Sequence, residues 1–204
     1  PWPQGTTKAD RYSAVRGLRY WEGAHDGYHR LKSPVTHRRG VLHLGQDHWL
    51  IVDRVDSSAS HLYTLHWLFQ DLSYHWCEED CHLAFNTEEG PYHMYSATMS
   101  GSPSYSLVRS DPDSPRGWRS RFYAQKAPAL SLNVAMEGKS EWFLTLFCPT
   151  SAHLQFDDDV VTVETQHNTA TIQCQSSTET CLVTDVTLDG SGHESPDMIT
   201  SNKN

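Results

Sequence analysis

The chain has 204 residues and a mass of 23.2 kDa, room for one large β-domain or two small ones around a sizeable core. With 37% hydrophobic residues, a mean hydropathy of −0.59 and no apolar run near the ~20 residues of a bilayer span, it reads as soluble, without a membrane partner. A formal net charge of −9, with no helix-turn-helix, zinc-finger or RNA-recognition signature, excludes nucleic acid as the expected partner.

The acidity is unevenly spread. Residues 1–54 carry nine Lys and Arg against five Asp and Glu, so the front of the chain is basic and the remainder strongly acidic. A local basic surface steers an anionic polymer more than the global sum opposes it. The sequence opens Pro1-Trp2-Pro3, its first methionine is Met94, and it shows no basic-then-apolar leader. The expectation is a fragment or processed piece of a longer protein.

Short apolar alternations punctuated by Gly, Pro, Ser and Asp predict antiparallel β-structure. The first predicted strand is Tyr12–Tyr20, followed by Ala24-His25-Asp26-Gly27-Tyr28-His29-Arg30-Leu31. Val35–Leu44 comes next and opens with Pro34-Val35-Thr36-His37-Arg38-Arg39. Gly45-Gln46-Asp47 reads as a hairpin loop leading into a strand over His48–Val55. His61–Leu68, Tyr92–Met99 and Ser104–Arg109 follow, and Ser110–Gly117 is a polar, turn-rich connector. The later predicted strands are Arg119–Lys126, Leu130–Met136, Glu141–Cys148, Val160–Thr165, Thr169–Cys174 and Leu182–Thr187. Residues 191–204 have little to bury and are expected to fray, leaving 1–190 as the folded domain. No window sustains a helical stripe over three turns. The expected fold class is therefore all-β, an antiparallel β-sandwich of stacked sheets.

Five cysteines, Cys77, Cys81, Cys148, Cys174 and Cys181, are too few and odd in number for a disulfide framework, although Cys174 and Cys181 are spaced to flank a hairpin turn. Thirteen histidines invite a metal site. The best local cluster, Cys77-Glu78-Glu79-Asp80-Cys81-His82, has no second spaced pair and falls in a predicted loop, so no metal is assigned. No phosphate-cradling loop, nucleophile elbow or His-Glu-x-x-His is present.

His25, Tyr28, Arg30, His37, Arg38 and Arg39 are the candidate substrate-facing residues. Chemistry on an anionic polymer, the ligand that a basic front suits, needs a group that offsets its carboxylate and groups that take and give protons. Tyr and His suit proton transfer, and Arg suits the carboxylate. Strand alternation sets a limit: His37 and Arg39 point one way, Thr36 and Arg38 the other, so some of these side chains face solvent or pair with Asp26 or Asp53. His61, His66 and the tryptophans serve equally as strand framework.

The order of these words, continued by His48-Trp49-Leu50-Ile51-Val52-Asp53-Arg54 and His61-Leu62-Tyr63-Thr64-Leu65-His66-Trp67, resembles the C-terminal β-sheet domain of the heparinase II/III-like polysaccharide lyases. A second block, Gly117-Trp118-Arg119-Ser120 with Trp142-Phe143-Leu144-Thr145-Leu146-Phe147-Cys148-Pro149, resembles that family's Gly-Trp segment and its terminal strand. The resemblance implies a larger enzyme that breaks a uronate polysaccharide by β-elimination, a base taking the C5 proton and an acid protonating the leaving oxygen: an α/α toroid carrying the catalytic Tyr, His and Asn, then a β-sandwich whose His-x-His-x-Asp segment helps bind zinc. Neither piece is recognisable here. His167-Asn168-Thr169 repeats a family word, but far downstream of its family position, and is read as coincidence. No catalytic or metal residue is therefore carried over by motif, and no cofactor is expected in this chain. The expected partners are an acidic polysaccharide, such as a glycosaminoglycan or alginate, and the parent's toroid. The family setting favours a bacterial, periplasmic or secreted protein. The other expectation is a non-catalytic carbohydrate-binding or scaffolding sandwich.

Overall fold

The computed structural model describes residues 7–15, 18–166, 168–175 and 182–190. Its strands in chain order are β1 (Thr7–Val15), β2 (Leu18–Tyr28), β3 (Val35–His43), β4 (Trp49–Phe69), β5 (Tyr74–Cys77), β6 (His82–Thr87), β7 (Gly90–Thr98) and β8 (Ser104–Arg109). The short β9 (Trp118–Arg119) and β10 (Ala127–Pro128) follow, then β11 (Leu130–Cys148), β12 (Ala152–Asp157), β13 (Val160–Thr165), β14 (Asn168–Cys174) and β15 (Val183–Gly190). A nine-stranded sheet runs in the order β1-β2-β3-β4-β11-β7-β6-β5, with β8 pairing β11. A four-stranded meander, β12-β13-β14-β15, forms the second sheet. Every pairing is antiparallel, as expected for an all-β sandwich.

The core between the sheets follows from the alternation of apolar residues. Leu18, Tyr20, Leu42, Leu50, Val52, Leu144 and Leu146 of the large sheet pack with Val161, Val163, Ile172 and Val186 of the small one. Each such side chain, taken fully out of water, stabilises the fold by roughly 1.5–3 kcal/mol. A second core, including Val35, Val55, Leu65, Leu83, Phe85, Met94, Leu132, Val134 and Phe143, lies within the large sheet itself. Residues from β3, β4, β6, β7 and β11 meet there because the sheet curls over its own face.

Two long strands set that curl. β4 has 21 residues and β11 has 19, and they pair almost throughout. Their register breaks in the middle: His61 faces Gly138, but the next paired residues are Asp56 and Ser140. Residues 57–60 of β4 therefore stand against Lys139 alone. Such a bulge bends and twists the ladder. The halves before and after it take different neighbours, since β3 flanks the first half of β4, whereas β8 flanks the far half of β11.

The differences from the sequence reading have local causes. His48–Val55 and His61–Leu68, expected as two strands, are one strand carried through the bulge, and so are Leu130–Met136 and Glu141–Cys148. Tyr12–Tyr20 is divided between β1 and β2. Arg119–Lys126 is a loop rather than a strand, because only its flanks pair, Arg119 with Ala127 and Trp118 with Pro128. β5, β6 and β12 were not predicted, although Ala152, Leu154 and Phe156 carry the alternation in plain form. The hairpin at Gly45-Gln46-Asp47 is as expected: all three take positive φ and the His48 N–H donates back to Gly45 O at 2.9 Å. Cys181, the residue spaced to face Cys174 across a hairpin turn, His167 and the tail after residue 190 lie outside the described residues.

Candidate functional site

The β2–β3 hairpin brings the candidate residues together. His25 pairs across to His37, then one extra residue on β2 shifts the register so that Tyr28 meets Val35. The bulge turns Gly27 inward, and its N–H donates to His25 Nδ1 at 3.2 Å. A backbone N–H only donates, so Nδ1 accepts, and the neutral ring carries its proton on Nε2. That Nε2 faces His37 Nδ1 at 3.0 Å, and His37 Nε2 lies 2.7 Å from Asp53 Oδ1. The hydrogen bonds thus run in one direction, from Gly27 through His25 and His37 to Asp53.

Asp53 anchors this chain. It is 2% exposed and takes a bidentate fork from Arg39, at 2.6 Å from Nε and 2.9 Å from Nη2. Arg39 also lies over the Trp67 ring, 5.4 Å from its centroid. A buried carboxylate needs this compensation. Burial, reinforced by neighbouring His37, lowers the pKa of His25 from its ordinary value and keeps the ring neutral. With each of these lone pairs and N–H groups engaged, the array positions the cleft wall. His25 acts as a base only if it gives up the Gly27 bond.

The strand faces divide as alternation requires. Arg38 points to the opposite side from His37 and Arg39 and donates to Glu22 Oε1 at 2.7 Å. Glu22 is fully buried and also accepts from the Tyr20 hydroxyl and, at 3.0 Å, from the Leu182 N–H. Arg38 and Arg39 are thus ion-paired, with the buried carboxylates of Glu22 and Asp53. Tyr28 and Arg30 differ: both are exposed at the hairpin tip, with the Arg30 guanidinium 5.9 Å from the Tyr28 ring centroid. Lys32 is exposed beside them.

This tip overhangs a cleft of about 240 Å³ at the bend of β4. Its floor is apolar, from Val35, Val55, Leu65 and Phe143, and His37 and Asp53 edge it. Tyr28, Leu31, His61 and Leu62 form the rim. The bulge creates the opening: it carries His61 back to Ser57 Oγ at 3.1 Å and sends the Tyr63 hydroxyl to Lys139 O at 3.0 Å. A cleft below the ~300–1,000 Å³ of sites that engulf a drug-sized ligand suits part of a longer polymer. Sequence reasoning treated His61 as framework and missed Leu31 and Leu62. An apolar residue at an exposed strand position, such as Leu62, was the available signal.

A larger cavity of about 450 Å³ lies at the seam of the two sheets, lined by Glu79, Asp80, His82, Tyr95 and His153. Its two carboxylates make it a poor seat for an anion. His82 and His93 share a hydrogen bond of 2.9 Å there, and His82 stacks on Tyr95. Among the described residues, no group of three or more His, Cys, Asp or Glu converges on a point where a metal ion would sit. The ring nitrogens of His25 and His37 face each other and Asp53 at hydrogen-bond distance instead, so they do not fit the zinc site that the resemblance implies for the parent.

Comparison with known proteins accords with this architecture. Residues 4–142 match the family described as heparinase II/III-like, C-terminal. No curated protein matches. Among solved structures, the heparinase III BT4657 gene product superposes with a TM-score of 0.65 at 13% identity, over 96% of this chain and 28% of that one. The heparan sulfate lyase HepC from Pedobacter heparinus gives 0.60 at 12% identity, over 95% of this chain and 28% of that one. A further structure of heparinase III gives 0.64 at 10% identity, over 95% and 27%. At such identities the likeness is one of fold, and this chain spans little more than a quarter of each relative. The family match covers well over half of the sequence, and the chain belongs to the heparinase II/III-like family as its C-terminal β-domain.

Proposed function

We propose that this chain is the β-sheet wall of a polysaccharide lyase that cleaves an acidic, uronate-containing polymer by β-elimination, with the proton-transferring groups on a helical toroid elsewhere in the parent protein. The observation that carries this reading is the cleft at the β4 bend. Tyr28 and His61 offer polar groups on the rim of an apolar floor, Arg30 and Lys32 lie exposed on the adjoining hairpin tip, and the interior histidines are already committed to Asp53 and Gly27. A sugar ring presents an apolar face to such a floor, and its carboxylate meets the cations of the hairpin tip. Zinc would be held by a His-x-His-x-Asp segment of the parent, and a bacterial periplasmic or secreted setting fits a polymer-degrading enzyme.

The test compares the parent with this chain. The parent should release unsaturated uronate, read by its near-ultraviolet absorbance, and this chain alone should not. Turnover by this chain alone would overturn the placement of the catalytic groups. The engaged nitrogens of His25 and His37 also favour a second reading, a carbohydrate-binding module without chemistry. A parent that binds acidic polymer and releases no unsaturated product would decide for it.

A further inference from the structure

Between Asp113 and Glu137 the sequence holds Arg116, Arg119, Arg121 and Lys126 and no acidic residue, in a chain whose net charge is −9. The fold uses one of these cations internally. Arg116 crosses the outer face of the sheet and donates to Ser106 Oγ, Ser106 O, Ser131 Oγ and Ser131 O at 2.7–3.1 Å. That clamp, the Gly117 carbonyl accepting from Ser110 and Ala129, and the Trp118 indole N–H donating to Asp111 O at 3.0 Å make a firm base. The β9–β10 pair then projects residues 120–126 into solvent, every one of them exposed.

The projecting segment is an ordered turn. The Ser120 hydroxyl and the Gln125 N–H both donate to Phe122 O, at 2.7 and 3.1 Å, and Ala124 takes a φ of 57°. At its apex Phe122 is 69% exposed and Tyr123 is 101% exposed. Lys126 is held by its ammonium 3.6 Å from the Trp118 ring centroid. Two adjacent exposed aromatics flanked by Arg121 and Lys126 have no packing role in this domain.

We propose that this tip is a second contact for an anionic polysaccharide, with Phe122 and Tyr123 as stacking faces and Arg121 and Lys126 as partners for carboxylate or sulfate groups. It rests on the reading of the substrate class given above. A narrow turn buries too little area for a stable protein partner, whereas a sugar chain offers repeated apolar faces and repeated anions. Because the turn is already ordered, binding loses little conformational entropy. The tip is separate from the cleft: the loop returns at Leu130, which pairs with Phe69, four residues along β4 from cleft residue Leu65, or about 13 Å of strand. A polymer engaging both points gains from their linkage.

The test measures binding of this chain to immobilised heparan sulfate and alginate, with neutral dextran as control. Phe122→Ala/Tyr123→Ala should weaken binding to the acidic polymers about tenfold. Arg121→Glu/Lys126→Glu should weaken it further and flatten its salt dependence, and Tyr123→Trp should preserve it. Unchanged binding by the double alanine variant, or equal binding of dextran, overturns the proposal. So does a parent in which Tyr123 resists nitration without polymer present, since the tip is then covered by the protein itself. Lyase activity of the parent on short oligosaccharides reads the proposed function separately. A parent without activity whose tip still binds polymer leaves this proposal standing, and an active parent whose binding of long polymer is unchanged by the double alanine substitution removes it.

Discussion

Glu22→Ala is the sharpest perturbation of the fold. Glu22 is fully buried, and its two carboxylate oxygens accept from Arg38, Tyr20 and the Leu182 N–H, joining β2, β3 and the approach to β15. Removing it takes a buried carboxylate partner from the Arg38 guanidinium, whose side chain is only 18% exposed, and leaves a buried backbone N–H without this acceptor. Breaking a buried pair of this kind costs about 3–5 kcal/mol. With a urea m-value of ~2 kcal/mol/M, the midpoint should fall by about 1.5–2.5 M. Glu22→Gln keeps the acceptor for Leu182 and should lose roughly half as much. The assay is urea unfolding followed by tryptophan fluorescence. A midpoint for Glu22→Ala within ~0.3 M of the parent sequence would refute the idea that this carboxylate staples the sheets.

Gly117→Ala should destabilise by ~2 kcal/mol or more, read by the same urea assay, because Gly117 has a φ of 77° and an added Cβ would stand 2.5 Å from the Ser110 nitrogen; an unchanged midpoint would remove the case for the closed loop base. Alkylation at pH 8 followed by peptide mapping should label half-exposed Cys77 in the native protein. Cys81 and Cys148, whose thiols burial pushes up to about 12, should react only after unfolding, and native labelling of either would contradict their placement. His25, His82 and His93 have pKa values lowered chiefly by burial, so the folded state binds fewer protons than the unfolded chain. Their neutral forms support the fold fully above about pH 6.5, and that support is lost as pH falls from there through the lowered values. Urea midpoints should drop between pH 7.5 and 5.5, and His82→Gln/His93→Gln should shrink the drop.

Much of the architecture was legible because strand alternation is a local signal. Val160–Thr165 and Ser104–Arg109 were read with their observed limits, and the opposed directions of His37 and Arg38 follow from period two alone. The continuity of β4 was not legible. Ser57-Ser58-Ala59-Ser60 looks like a break between strands, and the backbone runs extended through it because β3 and β11 pair with β4 before it and β11 pairs again after it. Arg119–Lys126 failed for the opposite reason: its aromatics suggest a strand, but no neighbouring strand reaches them. At the site, the residue types were readable and their commitments were not. Asp53 was considered as a partner for the strand cations, whereas the buried acceptor set around Glu22 depends on Leu182, 160 residues away.

The bulge at residues 57–60 has an evolutionary corollary. Because the mouth of the cleft is set by how much β4 outruns β11 there, gain or loss of a single residue in that segment would widen or pinch the opening while every lining side chain kept its identity. Relatives could therefore be retuned for thicker or thinner polymers by slippage in one ladder. Such a change leaves no substitution at the site for an alignment of binding residues to reveal.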